Sequence, residues 1–303
     1  MNWLIIAILS YFFLAVVSLF DRYFLVGPVP NPKIYTFYIG ILWFFISVFF
    51  IPFGISLPKT DIIFLGLLTG LIRILAILFL TKSIIESEVS RAIPAIGGLL
   101  PIFTFLLFFL SLPKSEIFDL SQIVALISLL IGSVLISLRK SKDKFLNFRT
   151  LKYPVVTAFL FALAFFLTKN LYLETSFLNG FFLVLLGGGL GTISFLIFPQ
   201  NRKEIFSQRP TQKISGLFLL GQAAGGVGVF AQFYAIFLAK PSQVPIINAL
   251  DGVRYVFLLF FVFILSTWKP ELLKEEMKGA TLFQKLVAIL FIGMGLAILA
   301  FKK

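Results

Sequence analysis

The 303 residues contain no cysteine and no histidine. The first absence excludes disulfides, thiolate nucleophiles and cysteine-held metals. The second removes Ser-His-Asp and Cys-His catalysis, imidazole metal sites and histidine proton shuttles. Acid is scarce as well, with 13 Asp and Glu against 26 Lys and Arg, and no D-x-x-D cluster occurs. Chemistry on phosphates through Mg2+ therefore lacks its usual carboxylates. No G-x-x-x-x-G-K-[ST] is present, and "GLLTGLIRI" lacks the lysine, so the chain has no phosphate-cradling loop for ATP. What remains is hydrocarbon. Apolar residues make up 59% and aromatic residues 17%, a balance no water-facing domain tolerates.

The apolar runs are long and lack the two-residue alternation of barrel strands, which points to an all-α integral membrane protein. Runs bounded by charge, proline or polar clusters fall near 2–20, 34–53, 61–81, 89–110, 119–138, 154–170, 176–198, 214–238, 242–266 and 283–301, and predict ten transmembrane helices. The first has no basic residue before it and no small-residue cleavage site after it, so it reads as a retained span. If the spans alternate, the connections after the odd-numbered spans hold eighteen of the Lys and Arg and the other side holds six. By the positive-inside rule the richer side is cytoplasmic, which places both termini on the non-cytoplasmic side of a cell membrane. Short basic loops held against a bilayer answer to topology and anionic lipid, and nucleic acid is not expected as a partner.

A repeat underlies the order of the spans. "FTFLLFFLS" (103–111) matches "YVFLLFFVF" (255–263) through FLLFF at an offset of 152 residues, and Ser90 falls on Ser242 at the same offset. Further on, "IVALISLLIGSVLI" (123–136) matches "LVAILFIGMGLAIL" (286–299) at an offset of 163, the difference lying in the long connection "STWKPELLKEEMKGATLFQ". Residues 1–140 then form one five-span repeat, 141–152 a basic linker and 153–303 the second repeat. Because five is odd, the second copy crosses the membrane in the opposite sense, giving two inverted five-helix repeats.

The stretch from Glu88 to Ile136 resembles the signature half of an EamA-type transporter of the drug/metabolite transporter superfamily. The likeness rests on Ala92 in a small-residue entry, Pro101 in the middle of the fourth span, Glu116 after it and Gly132 near the end of the fifth. It implies a secondary transporter with a central cavity lined chiefly by spans 3, 4, 8 and 9, working by alternating access without ATP.

The charges inside the spans are the candidate site. In "IINALDGVRYVFLLFFVF" Asp251 and Arg254 lie three residues apart, roughly 13 to 18 Å into the ninth span at 1.5 Å per residue. An isolated charge at that depth costs about 2.5 to 3.5 kcal/mol, so it faces protein or water and finds a partner. Asn248 joins the same stripe, which is either a cavity wall or a structural ion pair clasping the span to a neighbour. Arg73 is the only charge in "IIFLGLLTGLIRILAILFL" and needs an acid or an anionic ligand. Asp251 in the other half is the obvious acid, which leaves Arg254 for solute. Gln222 and Gln232 supply hydrogen bonds among Gly221, Gly225, Gly226 and Gly228 of the eighth span, whose small residues suit close helix packing. At matching ends of spans 1 and 6, Asp21 and Arg22 face Lys169 and Asn170 in the alignment, as gates, coupling groups or interfacial anchors.

These readings converge on a transporter, not an enzyme, with no cofactor, no metal and no catalytic residue. Two intramembrane arginines against one secure acid favour a small polar metabolite bearing a carboxylate or phosphate, as an anion or zwitterion, exported or exchanged. A coupling proton or counter-solute, the lipid bilayer and a monomeric or homodimeric state complete the expectation. Alternatives are a flippase of the same fold for a phosphate-bearing lipid and an enzyme acting on a lipid phosphate.

Overall fold

Lipid offers no partner to a backbone N–H or C=O, so every apolar run must close its hydrogen bonds within itself. The computed structural model, which describes residues 2–86, 89–111, 119–137, 148–207, 212–268 and 280–301, is accordingly built of helices. In chain order these are α1 (Asn2–Val26), α2 (Pro32–Phe50), α3 (Thr60–Glu86), α4 (Val89–Ser111), α5 (Leu120–Ser137) and α6 (Phe148–Glu174). They continue with α7 (Phe177–Ile193), α8 (Pro199–Ser207), α9 (Gln212–Leu238), α10 (Val244–Ala249), α11 (Asp251–Trp268) and α12 (Ala280–Ala300). Among the described residues eight segments are long and apolar enough to cross a membrane, and two further apolar helices, Ala95–Ser111 and Leu120–Leu135, are shorter. The chain is a multi-pass α-helical membrane protein.

Local chemistry sets the helix ends. Asn31 caps α2 by accepting from the backbone N–H of Lys33 at 2.9 Å, with Pro32 in the first turn where its missing N–H is harmless. Ser176 caps α7 in the same way through Asn179. Beyond α2 a short 3-10 turn ends at Gly54, whose φ of 83° only glycine adopts without strain.

Four boundaries differ from the sequence reading. The first helix runs to Val26, because nothing in "SLFDRYFLV" breaks a helix before Gly27 and Pro28; Asp21 and Arg22 are helical, not part of a connection. The basic connection after the seventh span contains α8, begun by Pro199 and tied to α2 by Lys33 to Glu204 at 3.3 Å and Lys33 to Asn201 at 3.1 Å. Helix α6 starts at Phe148, inside the stretch read as linker. Most consequentially, the ninth span is interrupted at Leu250, between α10 and α11: Leu250 keeps right-handed dihedrals and its bond to the Ile246 carbonyl at 3.0 Å, but Val253 bonds the Leu250 carbonyl at 2.8 Å in a tighter turn. Glu88, Glu116, residues 141–147 and Lys302 and Lys303 lie outside the described residues.

Lipid tails are as apolar as leucine, so helix association rests on close packing of small residues. Helix α3 lies against α6 and α7, and on the α7 side glycine meets backbone: a Cβ on Gly70 would sit 2.1 Å from the Val184 carbonyl oxygen, and one on Gly187 would sit 2.3 Å from that of Leu67. Helix α9 presents Gly221, Gly225 and Gly228 to Phe20, Val17 and Leu14 of α1. Helices α5 and α12 pair through Gly132 and Gly295. Large apolar side chains such as Phe64, Leu110, Leu220 and Leu290 point outward, whereas Arg73, Asn248 and Gln232 are buried. That polarity is what a lipid-facing surface around a polar interior requires.

Candidate functional site

A break inside a span frees backbone groups that must be met from elsewhere. At the α10–α11 junction two carbonyls find hydroxyl donors from other helices: Tyr11 of α1 donates to Ile247 at 2.6 Å, and Ser133 of α5 donates to Ala249 at 3.2 Å. Gly252 lets the junction press on α5, since a Cβ there would lie 2.3 Å from Ser133 Oγ. Asn248, fully buried, donates through Nδ2 to Thr104 of α4 at 2.9 Å, and its Oδ1 has no partner among the described residues. Asp251 opens α11, where a negative charge suits the helix N-terminus. Arg254 donates to it at 3.2 Å one turn on.

Arg73 sits apart from that pair. Its Nη2 donates to Gln232 Oε1 at 3.1 Å, and Gln232 Nε2 reaches the Tyr11 hydroxyl at 3.5 Å. A chain of hydrogen bonds thus runs from Arg73 on α3 through Gln232 on α9 and Tyr11 on α1 to the Ile247 carbonyl of α10. The guanidinium carbon lies 4.4 Å from the Phe233 ring centroid and 5.2 Å from that of Phe165. Cation–π attraction is worth about 2 kcal/mol in such a dry setting. Arg73 Nε and Nη1, both buried, have no partner among the described residues. The expected Arg73–Asp251 bridge is therefore not formed: Arg254 takes the carboxylate from its own helix, and Arg73 keeps two unused donors where Arg254 keeps one, its Nε.

The remaining candidates divide between two places. Asp21, Tyr35 and Gln222 form one cluster, the Tyr35 hydroxyl donating to Asp21 and receiving Gln222 Nε2 at 3.2 Å. Arg254 is within electrostatic reach of Asp21, which links this cluster to the junction. Arg22 is exposed and joins neither group. Lys169 is buried at the far end of α9, donating to the Ile236 and Phe237 carbonyls at 3.3 Å each. A cation on the last free carbonyls of a helix is well placed. Lys169 and Asp21 thus hold opposite halves of the same helix.

Tyr11, Ser133, Thr104 and Tyr172 belong to this interior and carry no signal in a chain so rich in aromatic and small residues. One faint sign exists: Tyr11, Ser18 and Asp21 are spaced seven and three apart, a single face of α1.

No known protein-family profile matches the chain, and no curated protein does. Among solved structures, one described only as "Crystal structure of protein" superposes over 99% of this chain and 99% of its own, with a TM-score of 0.69 and 13% sequence identity. At that identity the likeness establishes a shared fold over the whole length and nothing about chemistry.

Proposed function

We propose that the chain is a secondary transporter for a small polar solute carrying a negative charge, built as ten spans in two inverted five-helix repeats of the EamA type. In this reading α8 is a connector and α10 with α11 is one interrupted span. Helix packing supports the repeat: exchanging the halves turns the α1–α9 pair into α6–α3 and the α4–α6 pair into α11–α1, while α2–α7 and α5–α12 map onto themselves, and all of these pairs are packed.

The observation that carries the transporter reading is the interrupted helix. Its break lies about 15 Å from Pro241 at 1.5 Å per residue, well inside the span. Irregular backbone at such depth persists only where protein buries it or a cavity needs it, and discontinuous helices commonly form solute sites in secondary transporters. Alternation between two facing states is supported by one departure from the packing symmetry. Helices α3 and α7 meet backbone to backbone, but their symmetry mates α9 and α2 meet through side chains, Phe218 against Tyr35 and Tyr38 and Gln222 on Tyr35.

Purified protein in liposomes tests this reading. Saturable uptake or counterflow of radiolabelled small carboxylates and amino acids is expected, with no turnover of a labelled lipid phosphate and no flipping of a fluorescent phospholipid. Lipid turnover or flipping without solute flux would sink it.

A further inference from the structure

Among the described residues Arg73 has no ion-pair partner. Among the described residues the ionisable groups acting on it are the hydroxyls of Tyr11 and Tyr172, neither a carboxylate, and the one acid of α11 is already held by Arg254. Buried charge without compensation is costly, and such groups persist where something else supplies the missing partner. Beside Arg73 stands a second unused donor. The Tyr172 hydroxyl on α6 is buried and has no partner among the described residues, and its ring lies edge-on to Phe233 at 6.3 Å, the same ring that stacks on Arg73. Gln232 accepts from the guanidinium through Nη2.

Resting on the transporter reading above and narrowing it, we infer that Arg73 and Tyr172 form the receptor for a monoanionic carboxylate, and that dianionic phosphates are excluded. The count of charge decides this. One guanidinium balances one negative charge. A phosphate monoester dianion would keep a second charge against Phe165 and Phe233 with no second cation shown beside it among the described residues, because Arg254 is paired with Asp251 and Lys169 with the end of α9. The donors agree with the charge: one unused guanidinium N–H and the Tyr172 hydroxyl can each meet one oxygen of a carboxylate.

Binding of acetate, benzoate, phenylacetate and phenyl phosphate to detergent-purified protein, read by calorimetry, tests the inference. At pH 8 at least one carboxylate is expected to bind saturably and phenyl phosphate not to compete. At pH 5, below its second pKa of about 6, phenyl phosphate becomes a monoanion and should compete. Tyr172→Phe removes one hydrogen bond to the carboxylate and should weaken binding about tenfold, while Arg73→Gln, losing the charge, should weaken it further. Unliganded melting curves identify any variant that fails to fold, and Tyr172→Phe, which removes a single atom, keeps the test available. The inference is overturned if phenyl phosphate binds as tightly as benzoate at pH 8, if no carboxylate binds the unmodified protein, or if binding is indifferent to both substitutions. Solute flux that ignores Arg73 and Tyr172 would sink this inference and leave the transporter reading standing, whereas carboxylate binding without flux would do the reverse.

Discussion

At the scale of single residues, buried Arg73 and half-buried Arg254 should respond to the same substitution with opposite sign. Arg73 is an uncompensated charge held by one amide and two aromatic rings, so Arg73→Met removes a buried charge and is expected to raise the unliganded melting temperature, corresponding to about 1 to 3 kcal/mol. Arg254→Met strands Asp251 and is expected to cost on the order of 3 kcal/mol. Replacing Asp251 by leucine as well should recover much of that loss, while the same replacement added to Arg73→Met should be additive. Thermal unfolding of these four variants and of Asp251→Leu alone decides both points, and coupling between Arg73 and Asp251 would contradict the observed pairing. The sequence made each of these residues conspicuous, since a charge in a hydrocarbon run has few innocent explanations. Partnership was not legible, because three residues along one helix and a contact across two halves satisfy Asp251 equally well on paper.

At the scale of helices, glycine has two opposite meanings that composition does not separate. Gly70→Ala would drive a methyl onto the Val184 carbonyl and should cost about 1 to 3 kcal/mol, whereas Gly226 on α9 has open space where a Cβ would go, and Gly226→Ala should gain about 0.5 to 1 kcal/mol. Melting temperatures moving in the same direction would refute the packing described for α3 and α7. The glycine-rich run in α7 was readable as a span but not as a seam, for only the neighbour's backbone reveals the difference. The break before Asp251 was likewise invisible. Pro245 sits near the start of α10, where a helix tolerates it, and the hydroxyls that make the break affordable come from Tyr11 and Ser133, more than a hundred residues away.

For the whole molecule the eighteen-to-six division of basic residues fixes an expected orientation. A reporter active only in the periplasm, fused after Lys303 and expressed in a Gram-negative host, should be active, and one active only in the cytoplasm should be silent. The opposite pattern reverses the orientation and leaves the helices as they are. Charge outside the membrane is thus read directly from sequence, while the pairing of halves is not, because Phe- and Leu-rich matches say little about which faces meet. On the transporter reading, the unequal seams also set a resting population. Backbone meets backbone between α3 and α7, but only side chains span α2 and α9. A difference of about 1.4 kcal/mol between the two closures would hold roughly ten molecules facing one way for each facing the other. Solute arriving at the rarer face would then meet an apparent affinity about tenfold weaker at an unchanged site, so the bilayer would separate two different dissociation constants for one and the same arginine.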